Sequence, residues 1–148
     1  MTSRLLCNLG MRYFSQSPTV STKISRHVLK RNIQTTWSAR DIFTVQDEKD
    51  FQDKVVGSKR PVVVEFHATW CGPCKMLMPR MEKQMVNYND KVDMAKVDID
   101  ELPDVAMEYN VGAVPSVLLI KDGKVLDKFV GLKDEDQIDT FLTNAAKQ

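Results

Sequence analysis

Val62-Val63-Val64-Glu65-Phe66-His67-Ala68-Thr69-Trp70-Cys71-Gly72-Pro73-Cys74-Lys75 decides how this chain folds, because a nearly continuous apolar run leads into two cysteines separated by two residues. Such a run is what a strand covered on both faces requires, so it belongs at the centre of a sheet. Beyond it, Leu77, Met81, Met85 and Tyr88 repeat at helical spacing from about residue 74 to 88, and Pro79 inside that stretch predicts a kink. The two thiols therefore stand where a central strand meets a helix. That is the local arrangement of a reversible dithiol/disulfide couple: one thiolate attacks a foreign disulfide, and a second thiol close by releases the mixed disulfide that results.

Working outward, Ile42-Phe43-Thr44-Val45 is short and β-prone, and residues 47–56 carry Phe51, Val55 and Val56 on a helical stripe. Residues 94–98 give another strand, and Pro103 opens a short helix to about Tyr109, where its missing N–H is harmless. Residues 116–120 and 125–130 flank Lys121-Asp122-Gly123-Lys124, and Asp-Gly between two strand patterns is a strong hairpin signal. After Gly131, the stripe Ile138, Phe141, Leu142 behind the acidic turn Asp134-Glu135-Asp136 makes a final amphipathic helix. Strand and helix alternate, then a hairpin and a helix follow. This order predicts an α/β fold: a single domain with a mixed five-stranded sheet flanked by four helices.

The net charge of +1 conceals two unlike segments. Residues 1–40 hold seven basic side chains and no acidic one, whereas residues 41–148 hold fourteen basic and twenty acidic ones. A basic, Ser/Thr-rich front without a continuous apolar run has the profile of a mitochondrial transit peptide, removable and disordered, ahead of a domain at 41–148. A basic tail for nucleic acid or a membrane surface is the competing reading. Residues 31–40 resemble a two-step matrix processing site that would start the mature protein at Asp41; Arg12-Tyr13-Phe14 before Ser15 competes with it. No stretch approaches the roughly 18 apolar residues of a membrane span, and the basic-tail reading has little motif support, so neither a membrane nor nucleic acid is expected as a partner. Cys7 lies in the removable segment, which leaves only Cys71 and Cys74. Half a zinc site is the bland alternative for that pair, but zinc needs about four ligands and residues 41–148 add only His67. An iron–sulfur cluster shared between two chains is a further alternative.

Val64 through Lys75, Met94-Ala95-Lys96-Val97-Asp98-Ile99-Asp100, Val114-Pro115-Ser116 and Asp127-Lys128-Phe129-Val130-Gly131 resemble the thioredoxin family, its mitochondrial members most. The resemblance covers nearly all of residues 41–148. It implies a monomeric matrix protein-disulfide reductase that binds no cofactor, takes electrons from NADPH through a flavin-containing thioredoxin reductase, and serves clients such as peroxiredoxins and methionine sulfoxide reductases. A disulfide isomerase or oxidase, and a redox-gated binding module that holds a partner without turnover, are the competing functions.

Cys71, placed before the first helical turn, gains from the unpaired N–H groups and the dipole there, so it is assigned as nucleophile and Cys74 as resolving thiol. Gly72 and Pro73 shape the link between them, and by resemblance this dipeptide belongs to reducing members. Glu65 stands where the family has an aspartate. It is assigned as proton acceptor for Cys74, with burial raising its pKa; a glutamate paired to Lys96 or turned to solvent is the alternative. By resemblance Pro115 is cis and faces the dithiol, leaving the backbone of Val114 to pair with an extended client segment. Trp70 and Gly131 frame the same patch, against packing and an ordinary turn as their bland readings. The methionines, His67, the solvated Lys75 and Lys96, and an exposed Asp98/Asp100 pair are read as structural.

Overall fold

The computed structural model describes residues 42–148, so the expectations for residues 1–40 lie outside the described residues. Five strands, β1 (Ile42–Thr44), β2 (Val62–His67), β3 (Asp93–Asp98), β4 (Ser116–Lys121) and β5 (Lys124–Val130), form one sheet in the order β1-β3-β2-β4-β5. β1 and β2 both run parallel to β3, while β4 is antiparallel to β2 and to β5. The mixed sheet expected from the order of elements is what forms, with the apolar run at its centre.

Alternation along β2 sorts the core into two layers. Val62, Val64 and Phe66 pack with Phe51, Val55, Val97, Val105 and Ala106, beneath α1 (Glu48–Phe51), its π-helical continuation Gln52–Val56, and α3 (Pro103–Glu108). Val63 faces the other way, with Leu77, Met81 and Met85 of α2 (Gly72–Met85) and Ile138, Phe141 and Leu142 of α4 (Glu135–Ala145). Helices thus cover both faces. The π-helical turn is not legible in the apolar stripe of residues 47–56, because Phe51 and Val55 satisfy either winding.

α2 begins at Gly72, two residues before the expected start, since Cys71 itself is its N-cap. Pro79 removes the hydrogen bond to the Lys75 carbonyl without ending the helix. α2 and the turn after it are fastened to α4 and the segment before it: Arg80 donates to the Lys133 carbonyl at 3.0 Å, Lys83 pairs with Glu135 at 2.9 Å, and the hydroxyl of Tyr88 in that turn donates to Asp139 at 2.7 Å. Asp134 caps α4 by accepting from the Gln137 N–H at 2.8 Å. In the hairpin, Asp122 (φ 50°) and Gly123 (φ 72°) turn the chain in the left-handed region, as Asp-Gly foretold.

Candidate active site

Cys71 and Cys74 are joined by a disulfide, with Cα atoms 5.4 Å apart. Cys71 is extended at φ −79°, ψ 106°, so its side chain turns back over the first helical turn, where its Sγ accepts from the Cys74 N–H at 3.2 Å. A sulfur in that position pairs with one of the helix's otherwise unpaired N–H donors and sits at the positive end of the dipole, which favours its thiolate when the bond is reduced. Both cysteines are buried, in a small cluster with Ala68 that Ile99 and Val114 pack against. Burial is nearly equal for the two; helix position is what distinguishes them. Gly72 and Pro73 are exposed at the rim, and a Cβ on Gly72 would meet nothing within 4 Å.

Across from the dithiol the Val114–Pro115 peptide is cis, and the Ser116 hydroxyl donates to the Ala113 carbonyl at 2.6 Å, closing the turn around it. Val114 makes no backbone hydrogen bond among the described residues. Gly131 donates to the Pro115 carbonyl at 2.8 Å, which brings the end of β5 beside the cis-proline. Its φ of 87° needs glycine whatever the space, and a Cβ there would point into the open.

Trp70 is 67% exposed, yet its ring is not loose: the indole N–H donates to Asp100 Oδ2 at 2.9 Å. Asp100 is in turn held by its own N–H on Asp98 Oδ1, 2.9 Å away. The reading of Asp98 and Asp100 as an exposed, bland pair is corrected in part: Asp100 is exposed as expected but engaged, whereas Asp98 is not exposed. Asp98 is buried, and the two carboxylates form the bracket for the most exposed aromatic ring of the site. Residues 98–100 could have been suspected only from the chance that a strand-end acid meets an indole thirty positions away, a signal that no spacing rule carries.

Glu65 is fully buried, on the β2 face that also bears Val63 and opposite Val117 of β4. Neither carboxylate oxygen has a hydrogen-bond partner. Burial pushes its pKa up to about 7, against a smaller downward pull from Lys96 and an upward push from Glu82. Both alternatives for Glu65 fail in this arrangement: it is not turned to solvent, and the Lys96 ammonium is ion-paired with Glu82 Oε1 instead. Lys96 is also no solvated charge, since its side chain is only 18% exposed. Of the methionines, Met81 and Met85 are core and Met76 is exposed. Among the described residues no group of three His, Cys, Asp or Glu side chains is arranged to hold a metal ion, and no helix is long and apolar enough to cross a membrane.

The family model for thioredoxin matches residues 42–144. The mitochondrial thioredoxin of Mus musculus is 60% identical over 112 residues, 76% of this chain and 68% of the relative. A thioredoxin structure from Nicotiana alata superposes with a TM-score of 0.64 at 36% identity, covering 72% of this chain and 93% of the other. A chain from a structure on the thiol resolving mechanism in yeast mitochondrial 1-Cys peroxiredoxin, through the glutathione/thioredoxin systems, superposes with a TM-score of 0.63 at 33% identity, covering 70% and 95%. With a helix-capping disulfide in a Cys-Gly-Pro-Cys segment, a cis-proline opposite it and these matches across the whole described domain, the chain belongs to the thioredoxin family, thiol-disulfide oxidoreductases that act on disulfide-containing clients.

Proposed function

We propose that this chain is a general protein-disulfide reductase of the mitochondrial matrix, and that the observation carrying the reading is the Cys71–Cys74 disulfide at the N-terminus of α2. In the reduced protein the Cys71 thiolate attacks one sulfur of a client disulfide. A Cys71–client bond forms, the client bond breaks, and the departing client sulfur takes up a proton. Cys74 then yields its proton to Glu65 and attacks Cys71, so the client leaves with both sulfurs reduced and two electrons gained, and the Cys71–Cys74 bond is left behind. NADPH restores the dithiol through a flavin-containing thioredoxin reductase, so this chain works as a monomer without a bound cofactor of its own.

The open backbone of Val114 supports docking of an extended client segment as a short added strand. Trp70, Gly72, Pro73, Pro115 and Gly131 supply the surrounding contact surface. Peroxiredoxins and methionine sulfoxide reductases fit as clients because their cycles end in a disulfide or sulfenic acid that needs a dithiol. Delivery to the matrix is supported by the basic, acid-free residues 1–40 together with the likeness to the mouse mitochondrial protein, with residues 1–40 removed on import and the mature chain starting at Asp41.

The test is reductase-coupled reduction of insulin by the purified protein. The parent should consume NADPH, Cys71→Ser should not, and Cys74→Ser should accumulate clients in a covalent complex through Cys71. Full biological activity of Cys71→Ser would move the function to partner binding.

A further inference from the structure

A carboxyl with no hydrogen bond, deep between a sheet and a helix, is costly unless a counterion is at hand. Lys96 is Glu65's register partner on β3, and it is the cation placed to neutralise it. Instead its ammonium reaches across to Glu82 Oε1 on α2, at the solvent edge of the layer, where Glu82 is 41% exposed. On β3 the buried Asp98 follows Lys96 on the same face, opposite His67, and its Oδ1 accepts from the Asp100 N–H; the remaining elements packed on this layer are mostly apolar. β4 contributes Val117 and Leu119, and α4 contributes Ile138, Phe141, Leu142 and Ala145, while its Asp139 is engaged by the Tyr88 hydroxyl. α2 adds Cys74, here in the disulfide, and His67 ends β2 two residues from the acid.

We propose that Glu82 is a positioning residue for the buried acid: from α2 it holds the Lys96 ammonium to itself and so withholds from Glu65 the counterion that its register partner would otherwise supply. The balance leaves Glu65 able both to take a proton and to give it back near neutrality, which is what a proton acceptor in a reversible cycle requires. Beside a free Lys96 the carboxyl would hold its proton less tightly and be a weaker base. The consequence for turnover rests on the assignment of Glu65 as acceptor for Cys74; the coupling among the three charges does not.

The experiment is a carboxyl-carbon NMR titration of the full-length oxidised protein, in which neither active-site cysteine titrates, with the Glu65 signal identified by its loss in Glu65→Gln. Glu82→Gln should lower the proton affinity of Glu65 by roughly threefold, and Lys96→Met should raise it. In the Lys96→Met background, Glu82→Gln should have less than half that effect. An unmoved Glu65 midpoint in Glu82→Gln, or an equal displacement with and without Lys96, overturns the proposal. Resolution of a Cys71 mixed disulfide, followed against pH in the same variants, separates the two readings. If its acid limb ignores the NMR midpoint, Glu65 is not the acceptor while the Lys96 coupling stands.

Discussion

Among single side chains Glu65 stands out, a fully buried carboxyl without a hydrogen-bond partner. Burial pushes its native pKa up to about 7, whereas the ordinary carboxyl value of 4.5 returns once the chain unfolds. Between those two values the native state binds more protons than the unfolded one, so stability is full below about 4.5, falls as pH rises, and levels off above about 7. Glu65→Gln removes that slope. In urea denaturation of the oxidised protein it should match the parent at about pH 4 and exceed it by roughly 3 kcal/mol at about pH 8. A parent whose stability does not decline across the window would show that the buried carboxyl is charged after all. The apolar residues around Glu65 announced that burial would matter; Lys96 as its neighbour was visible too, but Lys96's choice of Glu82 over Glu65 was not, since a strand residue and a helix residue fourteen positions apart meet only when the layer is assembled.

At the scale of elements, α2 is the working part, and its value lies in where it starts. The sequence placed Cys71 just ahead of a helix; the structure makes it the cap, with its sulfur on the Cys74 N–H. That position, more than exposure, separates the two thiols, because the dipole effect fades within the first turn. In the reduced protein at about pH 7, iodoacetamide should modify Cys71 about tenfold faster than Cys74, read by mass spectrometry of the labelled peptides. Equal rates would remove the nucleophile assignment. β5 matters in a different way: its end delivers Gly131 to the Pro115 carbonyl, so that the hairpin, predicted from Asp122-Gly123 alone, also reaches the cis-proline.

For the whole molecule, the sheet and its two apolar layers close within the described residues, and the family model spans 42–144. A protein starting at Asp41 should therefore melt within about 3 °C of the full chain, a difference below about 1 kcal/mol for a domain of this size, and should keep its insulin reductase activity. A large loss on truncation would mean that the basic front contributes to the fold. The sequence by itself determined the strand and helix order, the mixed sheet, the hairpin and the dithiol, because apolar periodicity, turn chemistry and the Cys-Gly-Pro-Cys spacing are local and survive without knowledge of neighbours. Only the tertiary structure decided that Asp100 brackets Trp70, that Asp98 is buried, and that Lys96 leaves Glu65 without an ion-pair partner. Each of those depends on side chains from different elements competing for one charge or one donor, and that competition is settled by packing geometry, which no stretch of the chain encodes alone.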